Sequence, residues 1–512
     1  MRQRASWIVP GLALALAFVV AVHGCRRRAP LGQQVADAAA SSSSTPEPPA
    51  PSANVTFRVS DASGRSIPCK LTLIGRDGTP TPDLGFGRPT RSVDGGLAAH
   101  HRVFSLTGQG AISVPSGSYD LFVSRGPEWS LHQQALSVRP EPQTLNVTLT
   151  RLITREGWVS ADAHVHADPS WDSKVPLAAR VHEFTSEGVD VLIATDHNVV
   201  TDYRPEIERA GAKGLLETVL GSELSTTDWG HFGAFPLKHE QDWWVLHGVR
   251  MTGTPADQLL RAVRRHGPTA LVTVNHPRLG KLGYFNVGGF EPKSARFAHA
   301  HVSFDFDAVE VMNGAKHGSL EAVDQVMGDW FGLLADGRRI TAMGNSDTHE
   351  LVTSYAGYPR NYVRLTDPSV DGERLAAALR EGAAFFSSGP FVEATIGDKS
   401  LGEVARAVAK KVTLSVKIRA AAWVSVARLR AYVNGRVAKE LPIAPSNETE
   451  RFAGEITLDT PDDAFVVVRV DGDRPLPPVV GGPPAETLFP VAITNPIYVD
   501  ADGDGKWKAR KK

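Results

Sequence analysis

The sequence predicts an α/β fold, a largely parallel sheet closed into a barrel, with an antiparallel β-sandwich on either side of it. Three observations predict this. Between about residues 151 and 395, apolar strand runs such as "VDVLIATDH" alternate with helical patterns such as "GTPADQLLRAVRRHG". On both sides of that stretch, apolar residues recur at every second position between turn signals. Several of the central apolar runs also end in histidine or a carboxylate, where the strand ends of a β/α barrel would bring them to one face.

Length and composition agree with such a chain. Its 512 residues exceed what one core holds and suggest about three or four domains. With 42% hydrophobic and 22% charged residues it has the composition of a soluble globular protein. Lys+Arg of 55 against Asp+Glu of 56 leaves a formal charge of -1, so nothing global argues for nucleic acid or an anionic membrane surface as partner.

Residues 1–25 read as an export signal. Arg2 and Arg4 form a short positive region, and "WIVPGLALALAFVVAV" is the apolar core. The segment "VHGC", ending at Cys25, resembles a bacterial lipobox, which implies a lipid anchor to the membrane at that cysteine. The alternative is an uncleaved N-terminal anchor, for which the apolar run is short. Either reading places the rest of the chain outside the cytoplasm. If Cys25 carries lipid, Cys69 has no disulfide partner, and large cores must hold the exported protein. Neither cysteine reads as catalytic or metal-binding. Residues 26–54, rich in Ala, Ser and Pro with few large apolar side chains, read as a flexible tether.

Residues 55–150 carry period-two runs, "VTFRVSDASGRSIPCKLTLIGRDG", "GAISVPSGSYDLFVSRG" and "QTLNVTLTRL", and predict the first sandwich. "GRSIPCKLTLIG" and "PSGSYDLFVSRG" resemble the carboxypeptidase regulatory-like or transthyretin-like module, which implies a structural or adhesive role. In the central region, Thr254 is expected to cap a helix with Pro255 at its first position, Asp257 in its first turn and Gly267 at its end. Residues 396–512 return to alternation in "KKVTLSVKIRAA", "VARLRAYVNGRV" and "DAFVVVRVDG", predicting the second sandwich. Near the end, Asp500, Asp502 and Asp504 open like a calcium-binding loop. Lys511 stands where such a loop needs a bidentate Glu, so a solvated turn is expected.

The chemistry lies at the strand ends. In "SADAHVHADPSWD", His164 and His166 alternate along a strand and so face one point, as two ligands of one ion must. "VLIATDH" ends in Asp196 and His197, "TVLGSE" in Glu223, "LVTVNH" in His276, and "TAMGNSDTH" in Asp347 and His349. Taken singly, His276 reads as a core or loop histidine and Glu223 as a cap or loop charge. Taken together, so many imidazoles and carboxylates at one rim are costly to bury unless paired or bound to metal.

The ordered set "DAHVH", "TDHN", "GSE", "NHP" and "SDTH" resembles the polymerase and histidinol phosphatase (PHP) superfamily of metal-dependent hydrolases, over residues 151–395. "REGAAFFSSGPFVEATIGDKSLGE" and "TNPIYVDADGDG" further resemble its exported, carbaryl hydrolase-like branch. The resemblance implies a distorted (β/α)7 barrel holding two or three divalent ions. His164, His166, Glu223 and Asp347 would hold one. Glu223 would bridge to a second, which also takes His276 and His231, and Asp172, His197 and His349 would hold a third. Asp168 lies close enough in sequence to compete with Asp172. Asp196 would orient a neighbouring ligand, and either Asp347 or Asp196 would accept a proton during catalysis. Imidazole and carboxylate without thiolate suit Zn, Mn or Fe.

The implied reaction is hydrolysis of a small-molecule phosphate ester, or of another ester or a carbamate, by water activated at the ions. Arg278, Lys281 and Arg360 are the cations available for a phosphate group. The competing expectation is a membrane-tethered glycan- or partner-binding protein with a non-catalytic, metal-stabilised barrel, in which Trp171, Trp229, Trp243 and Trp244 could line a sugar site.

Overall fold

Alternation of side chains sets the first element: in the Ser52–Ser60 strand, Val55, Phe57 and Val59 point inward while Thr56 and Arg58 face solvent. The structure, a computed structural model, describes residues 52–238, 250–314, 319–365, 370–482 and 487–509. The expected export signal, Cys25, most of the tether, Trp243, Trp244 and Lys511 lie outside the described residues. The last tether residues, 52–54, are instead part of that first strand: Ala53 pairs with Val114 and is buried. Among the described residues no helix is long and apolar enough to cross a membrane.

The Ser52–Ser60 strand pairs antiparallel with Gln109–Pro115 and parallel with Gln143–Thr148. This three-stranded sheet shares a core, including Phe57, Leu71 and Leu121, with a six-stranded sheet centred on Arg102–Ser105, Cys69–Gly75 and Gly117–Ser124. Two sheets closing on one apolar layer make a β-sandwich. Cys69 lies in that layer, where burial pushes its thiol up to about 12 and leaves it inert.

The remainder is mixed α/β and strand-rich, with six α-helices among the described residues. Trp158–Val165, Val191–Ala194 and Glu217–Leu220 run parallel, with the Leu177–Ser186 and Arg204–Arg209 helices between them in the chain. A second, five-stranded sheet is ordered Ser222–Ser225, His231–Phe235, Leu271–Val274, Ala308–Asn313 and Thr341–Asn345. Isolated parallel bridges, His197 to Glu223 and Val165 to Thr348, link its two edges to the first sheet.

Strand and helix do not alternate throughout, as the sequence led one to expect. Ser222–Ser225 and His231–Phe235 form an antiparallel pair, because the short turn between them cannot carry the crossover that a parallel connection needs. Arg360–Arg364 also pairs antiparallel, on Trp158–Val165. The Ala256–His266 helix ends at Gly267 as expected, but Pro255 takes the N-cap place in an extended conformation and Thr254 does not cap.

From Arg360–Arg364 the large sheet continues through Ala384–Ser387 to Val491–Thr494, Ala464–Asp471, Arg428–Val433 and Arg436–Pro442. A three-stranded sheet of Phe391–Ile396, Lys411–Arg419 and Glu450–Asp459 shares its core, including Leu414, Ile418, Val466 and Val468. Hydrogen bonding is therefore unbroken from the α/β part into the C-terminal strands. Near the end, Asp500 accepts from the amides of Gly503 and Gly505, and so builds the turn expected there.

A buried ionic layer joins the first sandwich to the α/β part. Lys70 pairs with Glu187, both almost wholly buried, and Tyr358 Oη donates to Glu187 at 3.1 Å. Tyr362 Oη donates to Glu128 at 2.7 Å, and Arg155 Nε lies 3.4 Å from the same carboxylate. Glu183 lies in this layer between Lys70, Arg180 and Glu187. Burial raises its carboxyl to about 7, against the pull of Arg180. A folded-state value above the unfolded one favours the protonated form. The contribution to stability is thus full below about 4.5 and lost as pH rises through about 7. Glu183→Gln is expected to flatten the loss of stability between about pH 5 and about pH 8 by up to roughly 3 kcal/mol. Denaturation curves with identical pH slopes for the two proteins would refute this.

Candidate metal centre

The expected ligands come together because they lie at or beyond strand ends that share one rim of the two linked sheets. His164 lies in Trp158–Val165 with His166 one residue beyond it, and His197 follows Val191–Ala194. His276 follows Leu271–Val274, while Asp347 and His349 follow Thr341–Asn345. His231 opens its strand rather than closing it; that strand runs antiparallel, so its amino end reaches the same rim. His276 and Asp347 have positive φ, 28° and 51°, a backbone conformation costly for residues other than glycine.

Glu223 is the hub. Its Oε1 lies 3.0 Å from His164 Nε2, 3.2 Å from His276 Nε2 and 3.3 Å from His231 Nδ1. Its Oε2 lies 2.9 Å from His197 Nδ1 and 3.6 Å from His166 Nε2. Asp347 Oδ1 faces His164 Nε2 at 3.2 Å and His166 Nε2 at 3.3 Å. Asp172 Oδ2 meets His197 Nε2 at 3.1 Å and His349 Nε2 at 3.2 Å. Four groups result, with donor atoms within 4.8 Å of one another: His166, Asp172, His197 and His349; His164, His166 and Asp347; His164, Glu223 and His276; and His197, Glu223 and His231. Asp168 joins none of them; its amide donates to the carbonyl of Val175.

The donor chemistry fits divalent ions. His164 has a carboxylate against each ring nitrogen, Glu310 at Nδ1 and both Glu223 and Asp347 at Nε2, so a proton or a cation must stand on the Nε2 side. His166 Nε2, His231 Nδ1 and His349 Nε2 are buried without a hydrogen bond, although carboxylate oxygens lie 3.3, 3.3 and 3.2 Å away. Such orphaned lone pairs are what metal coordination satisfies.

The charges are strongly coupled. Burial holds His166 down at about 3. Burial also opposes the charged form of His197, but Glu223 and Asp172 carry it up to about 9. Glu223 and Asp347 lie well below the usual carboxylate range: burial works the other way, and the surrounding imidazoles prevail.

Asp196 lies outside the donor groups. Its carboxylate accepts from the Ala167 amide at 2.8 Å, from Ser170 Oγ at 2.9 Å and from Thr201 Oγ1. Ser170 Oγ in turn meets His166 Nδ1 at 3.0 Å, so Asp196 fixes the orientation of that ring. Trp171 stacks on His197 at 4.0 Å between ring centroids and is 59% exposed, whereas Trp229 is half-buried against the core. Arg278 forms a fork to Asp329 at 2.6 and 2.7 Å, and Arg360 is fully buried against the carbonyls of Gly357 and Glu187. Neither arginine is thus placed to meet a phosphate; Lys281 lies in the Gly280–Leu282 turn.

Glu310 was not singled out from the sequence. Fully buried in Ala308–Asn313, its carboxylate meets His164 Nδ1 at 2.9 Å and accepts from the His276 amide at 2.7 Å and from the amides of Asn313 and Asn345, each at 2.9 Å. It fixes the His164 tautomer and leaves Nε2 for the centre. Asn275, which donates to Glu223 at 2.9 Å, and Asn313, which donates to Asp347 at 3.0 Å, were missed too. The one available signal was a lone acid inside the apolar run "DAVEVMNG". Glu310→Gln is expected to lower metal affinity by about 10- to 100-fold with the fold retained, read by zinc competition titration; wild-type affinity would refute the role.

No family model matches the chain, and no curated protein matches it. Among solved structures, the crystal structure of an engineered protein is similar at 11% identity over 38% of this chain and 49% of that one, about half its length. The TM-score is 0.14, too low to bear on fold or activity.

Proposed function

We propose that the chain is a metal-dependent hydrolase of the PHP kind, exported and lipid-anchored at the cell envelope. Two or three divalent ions, Zn, Mn or Fe, would be held by His164, His166, Asp172, His197, Glu223, His231, His276, Asp347 and His349. One observation carries this reading: a fully buried Glu223 facing five histidines within 3.6 Å, an arrangement that lacks a structural purpose without a cation. The bridges from His197 to Glu223 and from Val165 to Thr348 support reading the two sheets as one distorted (β/α)7 barrel.

Ions held there supply Lewis acidity, activating water near neutral pH and polarising the bond to be cleaved. The residues of the chain do the rest. Glu310 and Ser170 hold His164 and His166 in the tautomer that presents Nε2 to the centre. Asp347, held by Asn313, and Asp196, which acts through Ser170, are the two carboxylates that would accept a proton during turnover. With Arg278 and Arg360 engaged elsewhere, a phosphate ester would be met chiefly by the ions, and the same ions could act on a neutral ester or carbamate.

Elemental analysis of the purified chain, with a panel of aryl phosphate, phosphodiester, carboxylester and carbamate substrates, tests the proposal. Turnover of one class, lost on chelation and restored by metal, is expected; an absence of bound metal would end the reading. A second reading, a tethered binder of glycans or a partner, draws on Trp171, whose outer face is open to a sugar ring. It requires stoichiometric metal with no turnover of any class.

A further inference from the structure

We propose that Arg180 is a positioning residue of the metal centre. Its buried guanidinium ties together the two ligand-bearing loops that follow Trp158–Val165 and Thr341–Asn345. The inference rests on the metal-centre reading above.

Arg180 projects from the middle of the Leu177–Ser186 helix and is fully buried. Its Nε donates to the carbonyl of His166 at 2.8 Å, Nη2 to the carbonyl of Thr348 at 3.2 Å, and Nη1 to the carbonyl of Glu350 at 3.2 Å. These three acceptors belong to one ligand and to the two sequence neighbours of another, His349. The rings of His166 and His349 stack at 4.1 Å between centroids and 16° between planes, so a shift of either loop displaces both donors. The group they form with Asp172 and His197 takes both stacked rings, one from each loop.

Only a guanidinium can do this. Its planar fork reaches three carbonyls in fixed directions, whereas an ammonium is a single point with freely rotating donors. Glu183, one turn along the helix, accepts from Nη1 at 2.5 Å and holds the guanidinium in place where water is excluded. Lys70 of the first sandwich lies close enough to Glu183 to act on its charge, and it pairs with Glu187 of the same helix. The sandwich thereby steadies the fold around the helix that carries Arg180 without touching the ligand loops.

Arg180→Lys and Arg180→Gln, compared with wild type by elemental analysis, Zn(II) competition and the visible spectrum of the Co(II)-loaded chain, test the inference. Lys70→Met serves as a variant that weakens the fold without touching the loops. The expected result is a folded R180K that loses affinity at the His166, Asp172, His197 and His349 group by about 10- to 100-fold, with altered Co(II) bands. Metal bound at Glu223 should be retained, and K70M should lose stability with unchanged affinity. If both Arg180 variants fail to fold, Glu183→Gln leaves the three carbonyl bonds but frees the guanidinium, and a smaller loss at the same group is expected. Wild-type affinity and spectrum in R180K, or in E183Q where that variant is needed, would overturn the inference and leave Arg180 a purely structural residue. Wild-type protein that binds no divalent ion would overturn the metal-centre reading and this inference together.

Discussion

Replacing Glu223 by alanine is expected to remove bound metal and hydrolysis together. The loss of affinity should exceed the roughly 100-fold typical of an outer hydrogen-bond partner, because in the proposed centre Glu223 would be a ligand itself. The geometry explains the size of the effect. Both carboxylate oxygens are used, Oε1 toward His164, His231 and His276 and Oε2 toward His166 and His197, so one substitution disconnects more than one donor group. The same change takes the negative charge from the middle of an imidazole cluster. His197, now carried up to about 9 mainly by Glu223, should then titrate lower, since its remaining carboxylate partner is Asp172. Elemental analysis and turnover on the responsive substrate class, side by side with His164→Ala, check this. An E223A protein that retains its metal would place the centre elsewhere.

The second large effect is on stability. Lys70→Met is expected to cost about 3–5 kcal/mol, because it leaves Glu187 charged, buried and without its ammonium partner. The double variant Lys70→Met, Glu187→Gln should recover part of that loss, since a neutral amide can still meet the Tyr358 hydroxyl. Chemical denaturation of the single and double variants distinguishes the cases. If the double variant is less stable than the single, the layer draws its stability from more than this pair.

The ligands were legible in the sequence for a physical reason: acids and imidazoles at the ends of apolar strands are too costly to occur repeatedly by chance. His164, His166, His197, Glu223, His276, Asp347 and His349 carried that signal, as did Asp196, which the structure leaves outside the groups; Asp172 and His231 came only from the resemblance, and the structure brings them to the same groups. The supporting residues carried no such signal. Glu310 lies within a strand, and Asn275, Asn313 and Asn345 are ordinary polar residues until their partners are known. Arg360 read as a cation available to a phosphate, yet it is buried in an ionic layer whose partners are far away in sequence. Periodicity likewise predicted strands and helices well but not their pairing. The antiparallel return at His231–Phe235 depends on the length of one turn, and the sheet that runs into the C-terminal strands depends on contacts more than a hundred residues apart.

That shared sheet governs how the chain can be divided. Ala384–Ser387 is hydrogen-bonded on one side to Arg360–Arg364 and on the other to Val491–Thr494. Removing everything after residue 395 would strip one side of that strand and bare a row of unpaired amides and carbonyls along an apolar segment, the kind of edge on which chains stick to one another. A chain truncated there is therefore expected to be lost to aggregation, whatever the state of its metal-binding residues. The C-terminal strands act as the stopper on the open edge of the α/β sheet.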